Sequence, residues 1–126
     1  MKSKIIITFF AAIFAFIMSS CNAQNKISAD EFEQKMKENN TILVDVRTPQ
    51  EFAEAHLKGA VNIDIYAPDF ATRMNQLDKS NTILLYCQSG NRSGQAASEL
   101  AESGFAAIYD LKDGIGEWKR KGKPTE

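Results

Sequence analysis

The chain has 126 residues, with fifteen basic and sixteen acidic side chains, one histidine and two cysteines. Setting aside Lys2 and Lys4 at the apolar front leaves thirteen basic residues against the sixteen acidic ones, a balance near neutral that offers no basic patch to nucleic acid. About a hundred residues follow that front segment, enough for one domain with a single core, and the sequence holds no internal repeat and no low-complexity tract.

Lys2 and Lys4 precede a run dominated by apolar residues from Ile5 to Met18, followed by Ser19, Ser20 and Cys21. A basic start, an apolar stretch too short to span comfortably and small residues before a cleavage point define an export signal. Met18-Ser-Ser-Cys21 resembles a bacterial lipobox, with Met where Leu is usual. That resemblance makes residues 1–21 a lipoprotein-type signal peptide, cleaved so that Cys21 becomes the first residue and carries lipid. Residues 22–26 then form a short polar tether, and the membrane is a partner through the lipid on Cys21. Asn22 in place of an aspartate points to the outer membrane, with the exported domain facing the periplasm. An uncleaved anchor, or an ordinary secretory signal cut near Ala23, is the alternative.

From Ser28 the sequence alternates helical and strand signals. Ser28 and Glu31 have capping-box spacing, and Phe32 and Met36 recur on one face of a short helix. Thr41 to Val46 reads as a buried strand, and Pro49 lets a helix start across Glu51 to Ala55. Gly59 turns the chain into a short strand from Ala60 to Ile65. Pro68 to Leu77 reads as a helix with Phe70, Met74 and Leu77 on one side. Thr82 to Tyr86 is the most apolar strand and is placed at the centre. Ser93 to Ser103 is a helix closed by Gly104, Ala106 to Leu111 a strand, and Trp118 a core plug ending a last short helix. Strands alternating with helices predict an α/β domain with an open, mostly parallel sheet flanked by helices on both faces, which binds ligands at the carboxyl ends of its strands.

Cys87 sits at such an end. The apolar run stops on it, and Gln88, Ser89, Gly90, Asn91, Arg92 and Ser93 follow, a stretch too polar for a core. Gly90 allows a positive φ, so successive backbone N–H groups can curl toward one point. Those amides and the positive end of the following helix favour a thiolate or a bound anion, and Arg92 adds a cation that can fork onto an oxyanion. The pattern is that of a nucleophilic cysteine.

Cys87-Gln-Ser-Gly-Asn-Arg-Ser93 resembles the active-site loop of single-domain rhodaneses, the thiosulfate sulfurtransferase-like proteins. Leu43-Val-Asp-Val-Arg-Thr-Pro-Gln-Glu-Phe52 is similar to the family's D-V-R-x-P-x-E-F/Y stretch. His56-Leu-Lys-Gly-Ala-Val-Asn-Ile63 resembles H-I-x-G-A-x-N-I, with Asp64 next where many relatives have proline. Leu111-Lys-Asp-Gly-Ile-Gly-Glu-Trp118 resembles L-x-G-G-x-x-x-W. The four segments keep the family's order, giving a rhodanese-like domain over residues 27–120 and a tail over 121–126. The Lys119-Arg-Lys-Gly-Lys123 cluster is read as part of an exposed, frayed end.

The resemblance implies a sulfurtransferase. Cys87 would attack the outer sulfur of thiosulfate or a similar donor and become a persulfide held by the amides of Gln88 to Arg92. A thiophilic acceptor (cyanide, a small thiol or a protein cysteine) would then remove that sulfur, a double displacement. Arg92 would place the anionic donor, while Ser89 and Ser93 donate further hydrogen bonds. Asp45 and Arg47 are expected to support the site structurally, with Glu51 as a partner for Arg47. His56, the only histidine, is expected in a turn away from the loop, which removes a Cys–His–Asp hydrolase.

Other readings are weaker on residue grounds. With Cys21 lipidated, Cys87 is a lone thiol that cannot close an intramolecular disulfide, so dithiol redox chemistry is excluded. No cofactor is implied, and without a His and Cys cluster no metal site is expected. A phosphatase or arsenate reductase loop needs its arginine six positions after the cysteine; here that position is Ser93 and Arg92 comes one earlier. A non-catalytic sulfur-carrier or docking module is the main alternative, although such modules commonly lose the cysteine that this chain keeps.

Overall fold

A strand with no polar alternation needs cover on both faces, and the sheet gives Thr82–Tyr86 that cover. The computed structural model describes residues 25–126. In chain order they form β1 (Asn25–Ile27), α1 (Ala29–Met36), β2 (Thr41–Asp45), α2 (Pro49–Glu54), β3 (Val61–Asn62), α3 (Phe70–Asn75), β4 (Thr82–Tyr86), α4 (Asn91–Leu100), β5 (Ala107–Leu111) and α5 (Gly114–Arg120). The strands make one sheet in the order β1-β5-β4-β2-β3, and every ladder is parallel. The predicted α/β sheet is therefore present, with its most apolar strand at the centre.

Alternate residues of β4 feed two cores. Ile83, Leu85 and the following Cys87 pack with Phe70 and Met74 of α3 and with Ala96, Ala97 and Leu100 of α4. Leu84 and Tyr86 face the other way, among Phe32 of α1 and Ile115 and Trp118 of α5. Phe32 and Trp118 meet edge to face with centroids 6.5 Å apart.

Local chemistry sets the element ends. The Ser28 hydroxyl caps α1 by accepting the Glu31 N–H at 3.2 Å. α2 starts at Pro49, two residues earlier than expected, because Thr48 and Glu51 form a complete capping box ahead of it. α4 likewise starts at Asn91 rather than Ser93, since Gly90 takes the N-cap position with φ 101°. The strand expected over 60–65 shortens to Val61–Asn62, although the amides of Ile63 and Ile65 still donate to the carbonyls of Asp45 and Val46.

Both expected flanks are revised. Residues 25 and 26, assigned to the tether, pair in register with Tyr109 and Asp110, so the folded unit begins earlier than residue 27. The expected frayed tail over 121–126 is solvent-facing but held. His56 and Glu126 exchange both backbone hydrogen bonds, at 3.0 and 2.8 Å. Trp118 Nε1 donates to the Pro124 carbonyl at 2.8 Å, and Lys123 Nζ reaches Asp30 and Glu33. The expected signal peptide and Cys21 lie outside the described residues. Among the described residues no helix is long and apolar enough to cross a membrane.

Deleting residues 121–126 removes those two backbone bonds and leaves the buried Trp118 indole N–H without its acceptor. We expect a loss of about 1–3 kcal/mol in urea unfolding, against no loss if the segment is a true tail.

Candidate active site

β4 delivers Cys87 to the carboxyl edge of the sheet, and the residues after it have to turn within three positions into α4. Gly90 supplies that turn with its positive φ. Its N–H then points back and donates to Cys87 Sγ at 3.1 Å. One turn into α4, the buried Ser93 hydroxyl lies 3.4 Å from the same sulfur and 3.3 Å from the Gly90 carbonyl, two acceptors that compete for its one proton. The thiol itself is only 1 % exposed, while Gln88 and Ser89 on the loop are open to solvent. Of the expected amide cradle, Gly90 is the residue that reaches the sulfur in this state.

The loop's carbonyls are drawn in the opposite direction. Ile115 N–H donates to the Cys87 carbonyl at 2.9 Å and Gly116 N–H to the Gln88 carbonyl at 3.1 Å. This contact depends on two successive left-handed residues, Asp113 (φ 61°) and Gly114 (φ 64°). A Cβ on Gly114 would stand 2.5 Å from the Cys87 oxygen and 2.4 Å from the Gln88 oxygen, so only glycine fits. With its carbonyls occupied by the first amides of α5, the loop can turn N–H groups toward the sulfur.

Arg92 does not lie free above the loop. Its guanidinium forks onto Glu51, with Nη1 to Oε1 at 2.6 Å and Nη2 to Oε2 at 2.8 Å. The expected pairing of Glu51 with Arg47 is thus corrected: the Thr48 capping box turns the Glu51 carboxylate toward α4. Arg92 donates to it and holds its carboxyl down at about 2 against an ordinary 4.5, with burial opposing and Thr48 assisting. Arg92 is raised in turn, first by Glu51.

Arg47 instead folds back onto Asp45, both nearly fully buried, through Nε and Nη2 contacts of 2.7–3.1 Å. Its Nη2 also donates to the Ala55 carbonyl at 2.6 Å, tying the end of β2 to the end of α2. Burial opposes the guanidinium charge there, and the Asp45 carboxylate outweighs it. Beside them the hydroxyl of Tyr86, next to Asp45 in register, accepts the Leu57 N–H; burial and then the Asp45 charge keep that phenol protonated. None of the hydrogen bonds of Asp45 or Arg47 goes to Cys87. His56 follows α2, its Nδ1 2.9 Å from the Phe52 carbonyl and its ring stacked on Phe52 at 3.8 Å, and its partners are Phe52 and Glu126 rather than Cys87. Among the described residues no group of three potential metal ligands exists.

The sequence reading missed Lys26 and Asp110. They face each other across β1 and β5, with Lys26 Nζ 2.6 Å from Asp110 Oδ2 and 3.2 Å from the Gly90 carbonyl. A signal was available: Asp110 is a charge near the carboxyl end of a buried strand, as Asp45 is in β2.

Comparison with known proteins agrees with this geometry. The family model of the rhodanese-like domain matches residues 28–121. The chain belongs to the rhodanese-like family. A "Sulfurtransferase" of Allochromatium vinosum is 32 % identical over 101 residues, covering 79 % of this chain and 92 % of that protein. An uncharacterized protein of Bacillus subtilis, YqhL, is 34 % identical over 123 residues and 96 % of each chain. The crystal structure of a rhodanese-related protein from Thermoplasma volcanium superposes with a TM-score of 0.72 at 26 % identity, over 81 % of this chain and 97 % of that one. Relatives bearing the sulfurtransferase name make this a sulfurtransferase-type family.

Two outcomes test the site's architecture. Gly114→Ala forces a Cβ into two carbonyls, and we expect a destabilisation of at least about 2 kcal/mol in urea unfolding. Because the carboxyl of Glu51 is depressed, its contribution is complete above pH 4.5 and is lost as pH falls toward 2. The pair is partly exposed, so wild type should exceed Glu51→Gln by no more than about 1 kcal/mol at neutral pH. That gap should close only below pH 4.5; a gap already absent at pH 7 would refute the coupling.

Proposed function

We propose that the protein transfers sulfane sulfur through a persulfide on Cys87. The observation that carries this reading is the convergence of the Gly90 N–H and the Ser93 hydroxyl on one buried sulfur at the end of β4. The Gly90 N–H donates and the Ser93 hydroxyl turns its one proton from the Gly90 carbonyl to the sulfur as negative charge builds there, and the N-terminus of the ten-residue α4 adds its dipole in the same sense.

With thiosulfate as donor, the Cys87 thiolate attacks the outer sulfur. A new S–S bond forms, the bond to the sulfonate sulfur breaks, and its electron pair leaves with sulfite. The terminal sulfur of the resulting persulfide is anionic and needs the donors that the thiolate used. An acceptor nucleophile, such as cyanide or a thiolate, attacks that terminal sulfur, and the electron pair of the broken bond returns to Cys87. No net redox partner enters, and the product with cyanide is thiocyanate.

Arg92 takes part as a forked ion pair with Glu51, so the two charges nearly cancel at the mouth. The donor anion is then bound chiefly by loop amides and helix dipole, with Arg92 adding attraction only as it shifts off Glu51. Gln88, Ser89 and Asn91, all exposed, line the approach and contact donor or acceptor. Asp45 and Arg47 keep the neighbouring strand end in place.

Intact-mass measurement after thiosulfate treatment tests the proposal. We expect a gain of one sulfur in the wild type, its removal by cyanide, and no gain in Cys87→Ser. Absence of the gain while Cys87 still reacts with an alkylating agent would overturn thiosulfate as donor.

A further inference from the structure

Asp110 is 1 % exposed, and its Oδ1 is the buried side-chain polar atom that lacks a hydrogen-bond partner among the described residues. A buried carboxylate left half-satisfied is costly, and its presence calls for a reason. Its other oxygen is held by Lys26, whose ammonium passes on to the Gly90 carbonyl. Gly90 is the residue whose N–H reaches Cys87 Sγ, and its carbonyl shares the one proton of the Ser93 hydroxyl with that sulfur. One cation on the first strand thus grips the residue that shapes the sulfur cradle.

α4 has made room for this cation. Gly94 lies in the helix interior, where alanine is the better residue. A Cβ there would come within 3.1 Å of Lys26 Nζ and 3.6 Å of Asp110 Oδ2. The glycine keeps open the lane through which the ammonium reaches Gly90. Lys26 also lies outside the span 28–121 that the family model matches, so family membership assigns it nothing.

We propose that Lys26, neutralised and aimed by Asp110, is a positioning residue for Cys87: it fixes Gly90 so that the cradle holds negative charge on sulfur. This rests on the persulfide reading for its purpose but not for its test. The charged and titratable groups around the loop are Lys26 from β1, Asp110 from β5, Arg92 from α4, Glu51 from α2 and the Tyr66 phenol, whose charge acts on Arg92. Lys26 and Asp110 pair with each other and Arg92 pairs with Glu51, so removing Lys26 alone unbalances the site.

The rate at which iodoacetamide alkylates Cys87, followed by mass on the peptide that bears it, reads the thiol directly as a function of pH. In Lys26→Met the rate at neutral pH should fall about threefold to tenfold, the loss expected when one charge-assisted hydrogen bond to the loop goes, and the profile should move to higher pH. Lys26→Arg should restore most of the rate. Gly94→Ala, which favours the helix, should still slow alkylation by crowding the ammonium. The double variant Lys26→Met with Asp110→Asn removes the unpaired buried carboxylate and should stay slow.

A wild-type profile in Lys26→Met, or full recovery in the double variant, overturns the proposal, because Lys26 would then serve only to neutralise Asp110. If Lys26→Met does not fold, a wild-type profile in Gly94→Ala overturns it instead. Slow alkylation in these variants with no sulfur uptake from thiosulfate would leave the positioning role standing and bring down the donor.

Discussion

The backbone exchange between the Cys87 loop and the start of α5 is the contact on which the site's polarity depends. A peptide loop presents both donors and acceptors, and a sulfur carrying negative charge tolerates only the donors. Ile115 and Gly116 take the carbonyls of Cys87 and Gln88 and so leave the donor side of the loop for the sulfur. The cost is a left-handed backbone at the non-glycine Asp113 and, at Gly114, a glycine that no side chain can replace. The Phe32 and Trp118 contact beneath α5 stabilises that helix where the exchange needs it. The core under α5 and the chemistry above it are therefore one arrangement.

Charge at the carboxyl end of the sheet is held in three ion pairs within the protein. Arg47 is closed on Asp45, Arg92 on Glu51, and Lys26 on Asp110. What remains to face the sulfur are dipoles: the Gly90 N–H, the Ser93 hydroxyl and the end of α4. Dipoles fixed by the fold need no counterion and do not reorganise when charge moves on the sulfur. Burial pushes the Asp110 carboxyl upward while Lys26 opposes it, and through Lys26 that balance touches the Gly90 carbonyl.

Much of this was legible in the sequence wherever a local rule fixes the outcome. The unbroken apolar stretch of β4 required a strand covered on both faces, and a cysteine at its end followed by small polar residues required a turn into a helix. Pairing across distance was not legible. Arg47 and Glu51 have the spacing of partners, but the Thr48 capping box directs Glu51 to an arginine 41 positions away. Residues 22–26 are polar and short, which reads as a tether, yet three residues suffice for an edge strand when β5 offers a free side. The last six residues read as a tail because most of their partners, His56, Asp30 and Glu33, come from distant segments. Lys26 and Asp110 escaped for the same reason, since the register that sets them opposite is a tertiary fact.

Enclosure of the thiol bears on what the site can accept. Cys87 is 1 % exposed, so a reactant must present a slim, terminal atom to reach it. A sulfane sulfur is such an atom, whereas a phosphoryl group brings three oxygens that the cradle would have to surround. Once the sulfur is transferred, the new S–S bond sets the reactive atom about 2 Å beyond Sγ. In the proposed reaction the outer sulfur of the persulfide stands that much farther from the buried Cys87 Sγ, which eases the approach of bulkier acceptors. If Cys87 carries sulfur as proposed, the burial that restricts the first half-reaction is relaxed in the second by the length of the bond just formed.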